Sequence, residues 1–391
     1  MQTPISEIQE ALRQAGLDGW LFYDHHIRDP LAYRILRFEA PRTPSRRWYY
    51  FVPAEGEPVK LVHRIEPGML DAIPGQKRVY SSWNTMTTGL AALLAGARRV
   101  AMQHSPNCEI PYVALVDAGT VDLVRGMSVD VASSANLVQH FEARWSQAQL
   151  ESHLEAGRRV DEARRAAFQR IAESLRAGRS VTEFEIAAFI RNRFTNSGLV
   201  TDHGPIVAVN ANASNPHYEP TAHQHLPIQS GDLVLIDMWA KLNQPEAVYY
   251  DITWTGFCGA TPPSEMTNVF DIVRDARITG SDFVKAAAAA GRTTAGFEVD
   301  DAVRGVIKAA GFGEFFVHRT GHSIGQEVHG NGANMDNLES HDTRPLIAGT
   351  CFSIEPGVYL PAFGIRSEVN CYVGEGSAMV TGEEQHALLS L

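Results

Sequence analysis

The sequence predicts an α+β fold divided into two domains, residues 1–145 and residues 146–391. The first observation is length, because 391 residues exceed what one ordinary hydrophobic core accommodates. The second is a change of pattern near residue 145. Short apolar runs alternate with helical segments before it, as in an α/β domain, and long helical segments bracketed by strands follow it. The third is composition, since 44% hydrophobic and 20% charged residues are typical of a globular protein.

The N-terminal domain begins with a predicted helix. Ile5, Ile8 and Leu12 recur at helical spacing, which places them on one stripe. Ser6 and Gln9 have the spacing of a capping box, so the two side chains are expected to cap this helix. Apolar runs then predict strands at 20–23, 48–52 and 100–102.

The C-terminal domain begins with a long helical stretch at 143–178, in which Gly157 favours a short break. A second helix is predicted after Thr182, because Thr182 and Glu185 have the spacing of a capping box. The remaining predicted elements are helices at 267–291 and 298–310 and strands at 205–209, 232–238, 247–257, 315–319, 350–359 and 364–373.

Composition also excludes some classes of partner. The formal net charge is −11 and no block of Lys and Arg is present, so nucleic acid is not expected as a partner. No apolar stretch approaches the ~20 residues of a membrane span, so no membrane is expected either. The first residues include acids, unlike a signal peptide. The four scattered cysteines show no metal or redox spacing, which favours a cytoplasmic location.

Two predicted strands of the C-terminal domain contain acids that are costly to bury. Asp237 ends the apolar run at 233–236, and Asp251 lies in the next apolar run. Glu355 and Glu368 likewise lie within two later apolar runs that are predicted as strands. Four buried carboxylates require compensating positive charge, which two divalent cations would supply. Carboxylates with one imidazole, from the histidines between the two pairs, suit Mn²⁺, Co²⁺, Fe²⁺ or Zn²⁺.

The C-terminal domain resembles the pita-bread metallopeptidases in five short motifs. With a dot for any residue, these motifs are LID, DIT.T, TGH.IG, EPG.Y and GIR.E. This family includes prolidase, aminopeptidase P, methionine aminopeptidase and creatinase, a relative without metal. The N-terminal domain resembles the creatinase and prolidase N-terminal domain in arrangement only. The resemblance implies a pita-bread catalytic domain at 146–391 with a dinuclear metal centre. The implied metal ligands are Asp237, Asp251, His322, Glu355 and Glu368.

The same resemblance implies roles for residues around the metals. Glu355, His329 and His217 are the implied catalytic residues, and Glu355 would also transfer a proton. His318 and Arg366 are the implied substrate-binding residues. A structural role is the alternative for His217, His318 and His329, and Arg366 could instead only pair with an acid of the centre.

By resemblance, the protein would be an Xaa-Pro dipeptidase, a cytoplasmic homodimer that cleaves short peptides with two divalent metal ions. Manganese is the expected ion, with cobalt, zinc or iron as alternatives. Aminopeptidase P activity on longer peptides, a non-peptidase hydrolase or lyase, and a binding protein without activity remain open. Trp239 stands where a small residue is common, and 243–246 is an apparent insertion between the two aspartates. Both lie near the pocket, so they concern substrate choice rather than metal binding.

Overall fold

The structure is a computed structural model that describes residues 3–40 and 43–391. It consists of two compact units, Met1–Glu142 and Ala143–Leu391. The division lies three residues before the boundary predicted at 145. Within the described ranges, none of the helices has the length and apolar character that crossing a membrane would require.

The N-terminal unit is built on one mixed sheet with helices on both faces. Its helices are α1 (Ile5–Gln14), α2 (Pro30–Leu36), α3 (Trp83–Leu93), α4 (Ala118–Arg125) and α5 (Ala135–Glu142). Its strands are β1 (Gly19–Asp24), β2 (Trp48–Pro53), β3 (Val59–His63), β4 (Gln76–Tyr80), β5 (Arg99–Met102) and β6 (Asp130–Ser133). The strand order is β4-β3-β2-β1-β5-β6, in which β1 is antiparallel to β2 and parallel to β5. Apolar side chains form a core on each face of this sheet.

Helix α1 is not capped as predicted. Its N-cap is Pro4 and no side chain caps it, so the predicted capping box of Ser6 and Gln9 is wrong. Ser6 already lies in the first helical turn. Gln9 Nε2 instead donates to the carbonyl oxygens of Pro53 and Gly56, at 3.0 and 2.8 Å. Gln9 therefore links the helix by hydrogen bonds to the end of β2 and the loop that follows it.

The C-terminal unit contains two larger sheets and four long helices within its described residues. The helices are α6 (Gln147–Arg176), α7 (Glu183–Asn196), α8 (Ser264–Ala289) and α9 (Gly296–Ala309). The strands are β7 (Val181–Thr182), β8 (Leu199–Val200), β9 (Ile206–Val209), β10 (Pro227–Ile228), β11 (Leu233–Leu242), β12 (Tyr250–Phe257), β13 (Ser323–Ile324), β14 (Thr350–Ile354), β15 (Gly357–Tyr359), β16 (Gly364–Arg366), β17 (Val369–Gly374), β18 (Ser377–Thr381) and β19 (Leu389–Ser390). One sheet has the order β19-β12-β11-β8, with β9 beside β11, and the other has the order β13-β14-β17-β18.

Helix α6 is continuous, so the break predicted at Gly157 is wrong. Gly157 instead permits a close approach between helix and sheet. A Cβ atom at this position would lie 2.7 Å from Cε2 of Tyr250, which is on β12. The capping box of Thr182 and Glu185 at the start of α7 is confirmed.

The strand predicted at 315–319 is also wrong. A 3₁₀ turn occupies Gly313–Phe315, and the backbone beyond it is bound by a side chain of α9. Arg304 donates from Nη1 to the carbonyl oxygen of Phe316 at 2.9 Å and from Nη2 to that of His318 at 2.8 Å. These carbonyl oxygens therefore have partners without a neighbouring strand.

The strands predicted at 350–359 and 364–373 are each divided in two. Pro356 follows Glu355, and because proline has no amide hydrogen it interrupts the ladder after β14. The second interruption falls at Ser367 and Glu368, between β16 and β17. Both acids thus lie where the regular hydrogen bonding of a strand stops.

Candidate metal centre

The centre is built where the hairpin of β11 and β12 meets the second sheet. In the antiparallel register Asp237 faces Thr253 and Trp239 faces Asp251, so these four side chains share one face of the hairpin. The amide of Glu368 donates to the carbonyl oxygen of Thr253 at 3.1 Å, which joins the two sheets at this point.

Four of the five implied ligands approach one another directly. His322 Nε2 lies 3.5 Å from Asp251 Oδ2 and 3.4 Å from Glu355 Oε1. One ligand atom each from Asp251, His322 and Glu368 all lie within 4.8 Å of one another. The fifth residue, Asp237, is connected to this group by Arg366, which binds Asp237 and lies 3.9 Å from Glu355 Oε2.

Burial perturbs the ionisation of three of these acids. Burial raises the pKa of Asp251 to about 7, and a hydrogen bond with His322 opposes this only in part. Burial also raises the pKa of Asp237 despite the charge of Arg366. The pKa of Glu368 is raised well above its usual range by burial and then by the neighbouring carboxylates. Each shift reflects negative charge buried beside other negative charge.

Neighbouring groups shift the pKa values of Glu355 and His322 in the directions that favour their charged forms. Burial alone would raise the pKa of Glu355, but the charges of His322 and Arg366 and a hydrogen bond from Ser353 lower it. The Ser353 hydroxyl donates to Glu355 Oε1 at 2.9 Å. Burial would lower the pKa of His322, but its hydrogen bond with Asp251 and the charge of Glu355 raise it.

Two buried carboxylate oxygens in the centre have no hydrogen-bond partner among the described residues. They are Asp251 Oδ1 and Glu368 Oε1. Leaving such an oxygen unsatisfied costs about 1–3 kcal/mol, and more when the group is charged. An oxygen-rich donor set with one imidazole suits Mn²⁺, Co²⁺, Fe²⁺ or Zn²⁺. The residues present therefore fit divalent cations.

Arg366 is buried beside the ligands, and protein groups engage each nitrogen of its guanidinium. Nε donates to Thr253 Oγ1 at 3.1 Å and Nη1 donates to the Tyr359 hydroxyl oxygen at 3.0 Å. Nη2 binds the carboxylate of Asp237. Arg366 thus fixes the positions of an implied ligand and of a buried tyrosine.

His318 is connected to Arg366 through Tyr359. Burial lowers the pKa of His318 to about 4, so the ring is neutral at pH 7. Nδ1 lies 2.7 Å from the carbonyl oxygen of Arg319 and must carry the proton. Nε2 is then an acceptor, and the Tyr359 hydroxyl donates to it at 2.7 Å. A chain of hydrogen bonds therefore runs from Arg366 through Tyr359 to His318.

The other two implied histidines differ in position. The ring of His329 packs edge to face against His322, with the centroids 4.4 Å apart. The charge of His322, followed by burial, lowers the pKa of His329 to about 3, so its neutral ring offers one N–H donor. His217 is exposed, and its amide donates to Asn215 Oδ1 at 3.1 Å. Among the described residues, no hydrogen bond or ion pair links the His217 ring to the implied ligands.

Trp239 lies on the same face of the hairpin, directly opposite Asp251. Its Nε1 donates to Asp202 Oδ1 at 2.8 Å, and its ring meets that of His203 at 4.8 Å. A Cβ atom at Gly204 would lie 2.7 Å from Cη2 of Trp239, so the indole needs glycine at that position. Trp239 therefore forms a fixed aromatic side of the site.

Four residues of the site were not predicted from the sequence. They are Tyr359, Thr253, Ser353 and Asp202. A signal existed for two of them. Tyr359 is part of the motif EPG.Y, and Thr253 shares a strand face with Asp251. Ser353 and Asp202 carry no such signal, because the sequence does not reveal which side chains they meet.

A model of metallopeptidase family M24 matches residues 151–375 of the chain. An Xaa-Pro dipeptidase of Lactobacillus delbrueckii subsp. lactis is 34% identical over 221 residues, which are 56% of this chain and 55% of that protein. The chain spans about half the length of the curated relatives it matches.

Two solved structures resemble the chain over nearly its whole length. The dipeptidase PepE of Mycobacterium ulcerans has a TM-score of 0.69 and 24% identity, covering 99% of this chain and 96% of that one. An X-prolyl aminopeptidase of Caenorhabditis elegans, described as a cytosolic enzyme with a di-nuclear active site, has a TM-score of 0.65 and 18% identity. That match covers 97% of this chain and 61% of the other. At these identities the likeness shows the fold, and the predicted fold class is confirmed.

Proposed function

Because the chain belongs to metallopeptidase family M24, we propose that it is a metal-dependent Xaa-Pro dipeptidase. The observation that carries the proposal is the buried, oxygen-rich cluster with two unpartnered carboxylate oxygens. The residues that would hold two divalent cations are Asp237, Asp251, His322, Glu355 and Glu368. We propose manganese as the ion, with cobalt, zinc and iron as the alternatives that the same donor set admits.

Divalent cations bound at this centre would lower the pKa of a water molecule and polarise the scissile carbonyl group. Glu355 is ionised and partly accessible, so it would take a proton from water and return it to the leaving nitrogen. The neutral His329 would donate to the carbonyl oxygen as negative charge develops on it. His217 would act as a second histidine at the substrate.

His318 and Arg366 would act on the substrate through Tyr359, whose hydroxyl both of them hold. Arg366 would also keep Asp237 in position, since it binds that carboxylate directly. We therefore propose a positioning role for Arg366 and His318.

We propose that the substrate is a short peptide with proline after the cleaved bond. The Lactobacillus relative is an Xaa-Pro dipeptidase, which supports this choice. Aminopeptidase P activity on longer peptides is the second candidate, because the Caenorhabditis elegans relative is an X-prolyl aminopeptidase. A non-peptide substrate is the third candidate, because Trp239 and the insertion at 243–246 concern substrate choice.

The test is a rate comparison on protein loaded with Mn²⁺, Co²⁺ or Zn²⁺. Ala-Pro should be cleaved at least ~10-fold faster than Ala-Ala, which corresponds to ~1.4 kcal/mol of differential transition-state binding. Equal rates on the two dipeptides would contradict proline specificity. Preference for an Xaa-Pro-containing pentapeptide would favour aminopeptidase P. Cleavage of none of them by metal-loaded protein would indicate a non-peptidase activity.

We also propose that the protein is a cytoplasmic homodimer. All four cysteines are unpaired thiols, as expected in a reducing compartment. Light scattering on the metal-loaded protein should give the mass of two chains, and a monomeric mass would contradict the dimer.

A further inference from the structure

The N-terminal unit contains a cavity of about 790 Å³. It is bordered by the end of β1 and the loop after it, the loop before β2, the ends of β3 and β4, and the starts of α3 and α4. Small-molecule sites in proteins have volumes of ~300–1,000 Å³. The cavity is therefore large enough for a ligand of metabolite size.

Its lining has an excess of positive charge. Arg28, Arg46 and Arg47 border it, whereas Asp117 is the one acid among the lining residues described. The Asp117 carboxylate already accepts from the amide and the hydroxyl of Thr120, at 2.9 and 2.8 Å. Within the described ranges, no carboxylate forms an ion pair with Arg28 or Arg47. The cavity is thus a cationic site in a chain whose formal net charge is −11.

Glu66 is a buried acid that binds the backbone of the loop before β2. The Glu66 carboxylate accepts from the Ser45 amide at 2.9 Å and from the backbone amide of Arg46 at 3.2 Å. The guanidinium of Arg46 instead donates to the carbonyl oxygen of Ser45 at 2.9 Å. Glu66 therefore fixes the loop that carries Arg46 and Arg47.

The cavity also presents donors suited to an oxyanion. His63 Nδ1 accepts from the amide of Ile65 at 3.1 Å, so Nε2 carries the ring proton and is a donor. Ser82 is the N-cap of α3 and Asp117 is the N-cap of α4, so two helix N-termini border the same space. The Asp117 carboxylate caps α4, and the Ser82 hydroxyl accepts from the amide of Thr85 at 3.2 Å. An oxyanion would therefore meet the first amides of α3, which lack intrahelical partners at the positive end of the helix dipole. These amides and the His63 donor add to the arginines.

An aromatic side chain lies at the edge of the same cavity. Trp83 is 71% exposed, which is unusual for so large an apolar group. It is the first residue of α3 and therefore adjoins the N-terminus that faces the cavity. An exposed indole beside cationic groups offers a stacking surface for a planar ring.

We propose that this cavity binds a small molecule that carries a phosphate group next to a planar ring. The phosphate group contacts Arg28, Arg47 and His63, and the ring stacks on Trp83. This binding is independent of the proposed peptidase activity.

Calorimetric titration of the full, metal-loaded chain with phenyl phosphate, inorganic phosphate and benzoate tests the assignment. Phenyl phosphate should bind at least tenfold more tightly than inorganic phosphate, because only it supplies the ring. Benzoate, which has the ring and a carboxylate, should bind more weakly than phenyl phosphate. Trp83→Ala should remove the advantage of phenyl phosphate and leave inorganic phosphate unchanged.

Substitutions of the arginines separate this cavity from the metal centre, which could also bind phosphate. Arg47→Gln and, separately, the more exposed Arg28→Gln should each weaken phenyl phosphate at least tenfold. The matched control is Arg99→Gln, which removes an exposed arginine of the same unit that pairs with Asp130 and should leave binding unchanged. Circular dichroism verifies folding of each variant. Phenyl phosphate binding that survives both substitutions, no binding at all, or benzoate binding as tightly as phenyl phosphate would overturn the proposal.

Discussion

At the scale of single residues, the charge of the centre explains why its side chains are arranged as they are. Four carboxylates converge in a buried space, and among the described residues Arg366 is the permanent cation in contact with them, while His322 contacts two of them with its imidazole. The arginine binds Asp237, while Asp251 and Glu368 each keep one oxygen without a donor. The negative charge that remains is the part that metal ions would compensate.

Asp251→Asn should remove metal and peptidase activity together, because the substitution deletes the charge of a carboxylate with an unpartnered oxygen. Metal content by atomic emission and turnover of Ala-Pro measure the two losses. The matched control is Asp202→Asn, an exposed acid that bonds Trp239 rather than the ligands, and it should retain metal. Full metal content in the Asp251 variant would show that this ligand assignment is wrong.

His329→Ala should retain both metal ions and lose turnover by ~10²-fold or more, as expected for removal of one donor to a developing oxyanion. His223→Ala, at an exposed position of the same unit, serves as the control and should leave kcat unchanged. Loss of metal in the His329 variant would instead make His329 a ligand.

At the scale of elements, features that depend on neighbouring residues could be predicted from the sequence. Features that depend on residues distant in sequence could not. The capping box of Thr182 and Glu185 is formed within one helical turn, so the sequence contains both partners. The break predicted at Gly157 is wrong because the reason for that glycine is Tyr250, which is far away in sequence.

The same distinction applies to the site. The five implied ligands stand in short local motifs, which is why the sequence could suggest them. The pairing of Asp237 with Arg366 joins residues 129 positions apart, and that of Thr253 with Arg366 joins residues 113 apart. Such pairings depend on how the two sheets meet, and no local pattern indicates them.

Gly157→Ala should destabilise the protein, although alanine is the better helix former. The new Cβ atom would lie 2.7 Å from Tyr250, a buried ring whose hydroxyl donates to Asp161 at 3.2 Å. Overpacking of this kind costs ~1–3 kcal/mol. The measurement is the free energy of unfolding in urea.

The control for this substitution is Gly305→Ala in α9, where a Cβ atom would meet nothing within 4 Å. That variant should gain ~0.5–1 kcal/mol from helix propensity alone. A stabilised Gly157 variant would show that α6 can move away from β12.

At the scale of the whole C-terminal unit, a buried histidine connects a helix with both larger sheets. His153 on α6 donates from Nδ1 to the carbonyl oxygen of Tyr249 at 2.7 Å, next to β12. Its Nε2 accepts from the hydroxyl of Thr381 on β18, also at 2.7 Å. Burial lowers the pKa of His153 to about 4, so the ring stays neutral inside the folded protein.

This histidine should make stability depend on acidity between pH 6.5 and about 4. In that window the unfolded chain binds a proton that the folded chain does not, so stability is complete above the window and falls as pH decreases. The loss is ~3 kcal/mol across the window. Unfolding free energies measured against pH should decrease less steeply for His153→Gln than for the wild type. The exposed control His223→Gln should keep the wild-type slope, and equal slopes for all three proteins would contradict the assignment.

The distance in sequence between Asp237 and Arg366 also bears on when the centre can form during translation. A nascent chain that has just emerged through Asp251 presents two aspartates without the arginine, the histidine or either glutamate of the centre. Domains generally fold as units during synthesis, and here the unit extends past Glu368 to β17 and β18, which complete the sheet of β14. Metal capture by ribosome-bound chains of increasing length should therefore begin abruptly only after Glu368 and these two strands have left the exit tunnel. The ion would then report that synthesis of the centre is complete.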